Sequence, residues 1–298
     1  MKTSIPVRRT VEIEEFTNLH FIHPLAGRLV PRLARWRVTP NAVSLTGLLC
    51  GVLAGIAYFH YRSPAWDLAG FALMIAWHVM DGADGQLARL THSQSHFGKV
   101  LDGISDALTF FAVYAALALA LHRVDGDRIY ALVIVAAVCH AIQAATHEAE
   151  RQEYDRLAWG LRKPQPTRTA FGRGPLGPWL LGLLDRLYCV GLSFPAAGVM
   201  RDIRTTLTTA LARQPEREAE IRERYRETFA PQLRRWSFLS ANYHTLGIFV
   251  CALLKAPKVY FWITIIGFNA MLVGLIRGQR ERLASFAAIL DPPARPDP

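Results

Sequence analysis

The chain has 298 residues, of which 51% are hydrophobic and only 19% are charged, and its apolar residues are gathered in long runs. This composition is typical of a polytopic membrane protein and excludes an ordinary soluble domain. The formal net charge of +10 fits membrane orientation and attraction to anionic headgroups. Because no folded basic module is recognisable, the charge does not indicate nucleic-acid binding.

The amino-terminal part precedes the first long apolar run. Its first twenty residues have no apolar stretch of the kind found in a cleavable signal peptide. Residues 14–38 mix apolar side chains with arginines, and we expect them to form an amphipathic segment along the inner membrane surface. Thr39 is the expected N-cap of the first span, and Pro40 fits the first turn.

Six apolar stretches are long enough to cross a bilayer as helices. The predicted spans cover residues 41–60, 65–90, 98–121, 129–146, 238–254 and 259–276. They leave little material for a separate soluble domain, so the sequence predicts a single all-α membrane domain over residues 1–298. A helical insertion at 147–237 separates the fourth span from the fifth.

The distribution of basic residues predicts the orientation, because Lys and Arg collect on the cytoplasmic side. With six spans and a cytosolic amino terminus, the outer loops hold only five basic residues: Arg62, Arg123, Arg128, Lys255 and Lys258. The remaining 29 of the 34 fall on the inner side. We therefore expect an integral membrane protein whose termini, insertion and inner span ends face the cytosol.

The insertion contains two distinct patterns. Residues 175–200 are apolar enough for a seventh span, but Asp185 and Arg186 at their centre favour an interfacial or re-entrant helix. Further along, four apolar residues recur at four-residue spacing: Ile221, Tyr225, Phe229 and Leu233. This spacing predicts a solvated helix with one apolar stripe that packs against the rest of the protein.

Four aspartates interrupt the second and third spans. Asp81 and Asp84 are three residues apart, and Asp102 and Asp106 are four apart, so each pair shares one helical face. Both pairs lie near the inner ends of antiparallel spans joined by a short polar turn. We therefore expect the four carboxylates to converge on one site.

A carboxylate within a membrane span is costly unless it is paired, hydrated or bound to metal. Four together repel one another unless cations occupy the site, and hard oxygen ligands suit Mg²⁺ or Mn²⁺. Two ions bridged by shared carboxylates are the usual arrangement for phosphate displacement. The alternative is four structural carboxylates satisfied by helix capping or cytosolic water, but capping accounts for only one or two.

Small residues accompany the aspartates. Gly82, Gly85 and Ala88 recur every three residues and leave a groove where a nucleotide diphosphate could approach the backbone. Close helix packing through small residues is a compatible alternative. Arg89 can supply a forked donor to phosphate, although alone it would more often be a snorkelling arginine, and Gly98 opens the facing helix.

Eight residues of this region match a known signature with a fixed internal gap: Asp81, Asp84, Gly85, Ala88, Arg89, Gly98, Asp102 and Asp106. In these residues the chain resembles the CDP-alcohol phosphotransferase family. The six predicted spans, the amphipathic segment and the Thr-Pro-Asn sequence that begins the first span extend the likeness to most of the chain. The insertion is longer than expected of the smaller family members.

The resemblance implies a mechanism. Asp81, Asp84 and Asp102 would hold the metals that bind the donor's diphosphate, and Asp106 would be the base and also contact metal. The CDP portion would be held by Asn41, Gly82, Gly85, Ala88, Arg89 and Gly98. An acceptor hydroxyl would then attack the phosphorus remote from cytidine, and CMP would leave. The likeness also suggests a homodimer.

Two substrate classes stay open. The donor is expected to be a CDP-lipid such as CDP-diacylglycerol, with inositol, inositol phosphate, glycerol phosphate or serine as acceptor. Alternatively, a CDP-aminoalcohol would donate to diacylglycerol or ceramide. Family prevalence favours the first class. Candidate acceptor-binding residues lie at the inner end of the fourth span: His140, Gln143, His147 and Arg151. A polar face that helps helices associate is an equal alternative.

Two other functional classes also place aspartates in membranes. An intramembrane prenyltransferase would carry two aspartate-rich motifs on helix pairs distant in sequence, whereas these four carboxylates fall within 26 residues. A cation transporter would continue its polar residues toward the outer side, yet the third span is apolar beyond Asp106.

Overall fold

The computed structural model describes residues 11–160 and 201–290, which form helices without a β-strand. In chain order the helices are α1 (His23–Arg35), α2 (Pro40–Phe59), α3 (Pro64–Leu90), α4 (His96–Asp125), α5 (Arg128–Trp159), α6 (Arg201–Arg213), α7 (Glu218–Trp236), α8 (Ala241–Leu253), α9 (Pro257–Trp262) and α10 (Asn269–Leu290). A π-helical turn at Asn18–Ile22 leads into α1, and another at Ile263–Phe268 joins α9 to α10. The predicted all-α class is confirmed for these residues.

The first membrane helix begins where the sequence predicts. The Ala42 amide donates to Thr39 Oγ1 at 3.3 Å, and Pro40 is the first helical residue, so the predicted N-cap is confirmed. On α4, Ser95 has the same role, since its Oγ accepts a hydrogen bond from the Gly98 amide at 2.9 Å.

Within residues 11–160 and 201–290, four helices are long and apolar enough to cross a membrane: α2, α4 from Val100 to Asp125, α5, and the continuous helix Pro257–Ala288 formed by α9 and α10. The other two predicted spans are also helical. However, α3 carries Asp67, Asp81 and Asp84, which lower its hydropathy, and α8 has only 13 residues. At 1.5 Å per residue α8 is about 20 Å long, shorter than the hydrocarbon core. The six-span topology therefore stays a prediction.

Helix α5 extends the predicted fourth span into the predicted insertion, because it continues unbroken to Trp159. The interfacial or re-entrant helix predicted at residues 175–200 lies outside the described residues. The apolar stripe beyond them forms part of α7, and Tyr225, Phe229 and Leu233 are buried there as predicted. They pack with Tyr154 of α5 and Phe286 of α10 in one hydrophobic core.

Helix α2 lies close to both α3 and α4 because glycines recur on it at every fourth residue. A Cβ atom at Gly51 would overlap the side chain of Thr109, and one at Gly55 would lie 2.8 Å from the backbone oxygen of Ala112 on α4. Gly47 packs on α3 in the same manner. Only glycine permits this approach, which fixes α3 and α4 on either side of α2.

The amino-terminal segment packs against the carboxyl-terminal end of α3. On α1, Ala26 and Val30 are buried against Ala83 and Leu87 of α3. Trp36, at the end of α1, is 69% exposed. One side of α1 is thus held by α3 while apolar side chains elsewhere in the segment stay uncovered, which fits the expected interfacial position of residues 14–38.

Candidate active site

The four predicted aspartates meet where α3 and α4 face each other. One carboxylate oxygen from each of Asp81, Asp102 and Asp106 lies within 4.8 Å of the other two, and all three residues are half-buried. Asp84 is buried, and it is near enough to Asp102 for the two carboxylates to repel each other. The convergence expected from the i,i+3 and i,i+4 spacings is therefore present in the structure.

Asp84 has a hydrogen-bond partner on a third helix. The Ser44 hydroxyl of α2 donates a hydrogen bond to Asp84 Oδ2. Ser44 is itself buried, one turn beyond Asn41 on the same helix. The bond orients one oxygen of the carboxylate and leaves the other outside this contact, as is usual for a residue that supports a metal ligand.

The donor set fits hard divalent cations. Three carboxylates with oxygens this close together have strongly unfavourable mutual repulsion in a partly buried site unless positive charge lies among them. Clustered carboxylate oxygens are the ligands that Mg²⁺ and Mn²⁺ prefer. Asp81, Asp102 and Asp106 can hold such an ion directly, and Asp84 lies at the edge of the same cluster.

The residues predicted to hold the CDP portion have three different surroundings. Gly98 lies beside Asn41, since a Cβ at Gly98 would be 3.6 Å from Asn41 Oδ1. Arg89 folds back over Gly85, its Nη1 3.5 Å from a Cβ placed there. Asn41 of α2 and Gly98 of α4 are thus neighbours. Arg89 packs on Gly85, one turn before it on α3.

Gly82 and Ala88 make contacts of a different kind. A Cβ at Gly82 would lie 3.4 Å from Ile22 and 3.6 Å from Ala26, so this glycine lets α1 pack closely on α3. Ala88 is half-buried, and its carbonyl oxygen accepts a hydrogen bond from the Ser93 amide in the turn after α3. Their part in binding CDP stays a prediction.

The four predicted acceptor-binding residues belong to two separate environments. His140 and Gln143 are buried: His140 Nδ1 hydrogen-bonds with the Tyr114 hydroxyl at 3.0 Å, and Gln143 Nε2 donates to Asn269 Oδ1 at 2.8 Å. These contacts are those of a polar face that joins helices, the alternative interpretation of this pattern.

His147 and Arg151 lie farther along α5. Arg151 Nη2 donates to Glu148 Oε1 at 2.7 Å and its Nη1 to Asp155 Oδ2 at 3.4 Å. His147 is half-buried one turn before it. The acceptor role of these four residues stays a prediction. Of the four, His147 and Arg151 are the two that retain partial exposure.

A buried polar network was not anticipated from the sequence. His244 of α8 stacks on His140 with ring centroids 3.7 Å apart, and its Nδ1 hydrogen-bonds with the Tyr260 hydroxyl at 2.8 Å. Tyr260 in turn hydrogen-bonds with Tyr114 at 2.6 Å. Single tyrosines and histidines in apolar helices gave no sign that they meet. Ser44 was missed for the same reason.

Comparison with known proteins identifies the class of site. The model of the CDP-alcohol phosphatidyltransferase family matches residues 37–176, the part of the chain that contains all four aspartates. CDP-diacylglycerol–serine O-phosphatidyltransferase of Mycobacterium tuberculosis is 23% identical over 249 residues, covering 82% of this chain and 80% of that protein. The enzyme of the same name from Mycobacterium leprae is 22% identical over 257 residues, covering 84% of this chain and 78% of its own.

A shorter similarity is to an enzyme named for a different activity. Cholinephosphotransferase 1 of Gallus gallus is 32% identical over 101 residues, covering 31% of this chain and 30% of that protein. Enzymes of the matched family generally depend on a divalent metal, in agreement with the carboxylate cluster. Residues 37–176 therefore form a CDP-alcohol phosphatidyltransferase domain, and the chain is a membrane enzyme that transfers a substituted phosphate group from a CDP-alcohol.

Proposed function

We propose that this chain transfers a phosphatidyl group from a CDP-lipid, such as CDP-diacylglycerol, to the hydroxyl of a small alcohol and releases CMP. The carboxylate cluster of Asp81, Asp102 and Asp106 carries the proposal, because it is suited to hold the cations that a diphosphate donor requires. The similarity to serine O-phosphatidyltransferases over most of the chain supports a CDP-lipid donor. Serine is therefore the first acceptor to test.

In the proposed mechanism the donor's diphosphate lies at the aspartates, with Asp81, Asp84 and Asp102 as metal ligands. Mg²⁺ or Mn²⁺, with two ions expected, would supply positive charge against the negative charge that develops during phosphate displacement. Arg89 and Asn41 would contact the CDP portion. Both residues lie beside signature glycines, Arg89 beside Gly85 and Asn41 beside Gly98.

Asp106 is the proposed general base. Its carboxylate would take the proton of the acceptor hydroxyl as that oxygen attacks the phosphorus remote from cytidine. The new ester bond forms to the acceptor oxygen, and the bond from the same phosphorus to the bridging oxygen breaks, so that CMP leaves. Asp106 lies one turn beyond Asp102 on α4, on the side toward the apolar part of the span.

The proposed topology has six spans, with both termini, the insertion and the active site on the cytosolic side. The cytidine diphosphate headgroup of the donor is charged, and a cytosolic location of the site would give this headgroup direct access to the aspartates. A homodimer is proposed from the family likeness alone.

The second candidate is transfer of a phospho-aminoalcohol from a CDP-aminoalcohol to a lipid hydroxyl of diacylglycerol or ceramide. Its support is the similarity to cholinephosphotransferase 1 across 101 residues. The aspartate cluster suits either donor, because both carry the same cytidine diphosphate.

One assay separates the two candidates. Purified protein with Mn²⁺ is incubated either with CDP-diacylglycerol and a panel of alcohols or with CDP-choline and diacylglycerol, and both CMP and the lipid product are identified. The proposal expects CMP only with the CDP-lipid. CMP only with CDP-choline would establish the second candidate, and no CMP with either donor, while an Asp81→Asn control behaves identically, would overturn both.

A further inference from the structure

A second site lies away from the aspartates, in a cavity of about 630 Å³ between α7 and α10. Its volume is within the range of small-molecule and lipid sites in proteins. Residues of α7 and α10 line it, whereas the aspartates belong to α3 and α4. We call it the α7–α10 groove, and its argument uses Gln232 and Arg235 on α7 and Gly274, Gly278 and Arg282 on α10.

The two helices that form the α7–α10 groove run antiparallel. The rings of Tyr225 and Phe229 contact Phe286 at centroid distances of 5.7 and 5.6 Å, and farther along α7, Gln232 Nε2 faces Gly278. Arg235, one turn beyond Gln232, is therefore nearest the earlier turns of α10. At Gly274 the groove is open, because a Cβ atom there would meet nothing within 4 Å.

The polar lining of the groove carries a net positive charge. Arg235 and Arg282 are both exposed, and neither forms an ion pair or side-chain hydrogen bond within the described residues. Glu281 also lines the groove, which leaves two guanidinium groups against one carboxylate. Guanidinium groups bind phosphate through paired N–H donors, so the lining favours a phosphate-bearing ligand.

The position of the α7–α10 groove along α10 distinguishes a lipid from a soluble anion. Met271 and Leu275 line its part within the apolar stretch, and Arg282 lies 11 residues beyond Met271, about 16 Å along the helix. Arginines also occur at 277 and 280 on α10, as is usual where a span enters the headgroup region. A soluble anion would leave the exposed Met271 uncovered, whereas an acyl chain would cover it.

We propose that the α7–α10 groove binds an anionic phospholipid of the surrounding bilayer, with its phosphate between Arg235 and Arg282 and an acyl chain along Met271. The site is separate from the donor's diphosphate site, and its occupancy does not depend on the identity of donor or acceptor.

The experiment measures lipid retained by the full-length protein. Protein reconstituted in nanodiscs of mixed phosphatidylcholine and phosphatidylglycerol is extracted in mild detergent, and the retained lipids are quantified by mass spectrometry. We expect phosphatidylglycerol to be enriched on the wild type. The variant Arg235→Gln/Arg282→Gln should lose that enrichment by at least about fivefold, the factor that one arginine near a membrane surface provides.

Two further variants make the result specific. Arg277→Gln/Arg280→Gln removes the same charge from α10 outside the groove lining and should keep the enrichment. Gly274→Leu fills the groove without changing charge and should lose it, and the size-exclusion profile and unfolding temperature should match the wild type. If the two double arginine variants retained equal amounts of phosphatidylglycerol, the proposal would be overturned. A Gly274→Leu variant that becomes monomeric with its lipid enrichment intact would also overturn it, since the groove would then be a contact between two copies of the chain.

Discussion

Ser44 on α2 donates a hydrogen bond to Asp84 on α3, and both side chains are buried. This contact ties the first signature helix to a helix outside the signature. Since residues that orient metal ligands typically contribute 10- to 100-fold to metal affinity, we expect Ser44→Ala to weaken Mn²⁺ binding by about tenfold or more. Electron paramagnetic resonance titration of free Mn²⁺ measures this directly.

The matched control for Ser44 is Thr46→Ala on the same helix. Thr46 is exposed, and its hydroxyl donates only to the Ala42 carbonyl oxygen within α2. It should leave Mn²⁺ affinity unchanged. A Ser44→Ala variant with wild-type Mn²⁺ affinity would show that Asp84 needs no support from α2.

The metal ligands form the second prediction. Asp81→Asn, Asp84→Asn and Asp102→Asn should each lower CMP release by more than about 10², because each removes a charge that holds the cations. Asp127→Asn, at an exposed position next to α5, is the control and should keep full activity. Wild-type activity that persisted in excess EDTA would contradict the metal-dependent reading.

Asp106 is predicted to act differently from the other three aspartates. Asp106→Asn should bind the CDP-alcohol with metal at nearly wild-type affinity while losing turnover by about 10² or more, as expected for removal of a general base. Calorimetric titration of the donor, together with CMP assays, separates the two effects. Loss of donor binding in parallel with turnover would reassign Asp106 chiefly to metal coordination.

The close approach of α2 to α4 gives a stability prediction. At Gly55 a methyl group would lie 2.8 Å from the backbone oxygen of Ala112, which cannot rotate away. We expect Gly55→Ala to lower the free energy of unfolding by about 1–3 kcal/mol, a typical cost of overpacking. Gly274→Ala, where a methyl group meets no atom within 4 Å, should not destabilise the protein. Thermal unfolding in detergent compares the two.

The orientation in the membrane is tested by cysteine labelling. Arg217 immediately precedes α7 and Glu220 lies in its first turn, and both side chains are exposed. A cysteine at either position should react with a membrane-impermeant thiol reagent only after permeabilisation. A cysteine at Asp127, in the predicted outer loop between α4 and α5, should react in intact cells. Labelling in the opposite pattern would invert the proposed topology.

The sequence by itself determined the features that repeat within one helix. The spacing of Asp81 with Asp84 and of Asp102 with Asp106 put each pair on one face, because an α-helix brings residues three and four apart together whatever surrounds it. Apolar runs located the helices, and the fixed gap between the pairs gave the signature. The stripe that includes Tyr225 and Phe229 was readable for the same reason.

Contacts between helices distant in sequence were decided only by the tertiary structure. No local pattern says that Ser44 meets Asp84, that His140 stacks on His244, or that α1 covers Gly82. These pairings depend on which faces pack together and how closely, and in α2 that distance is set by glycines whose missing side chains leave no periodic signal. A polar residue in an apolar helix indicates that a partner is needed. Only the packed fold determines whether that partner is another helix or a substrate.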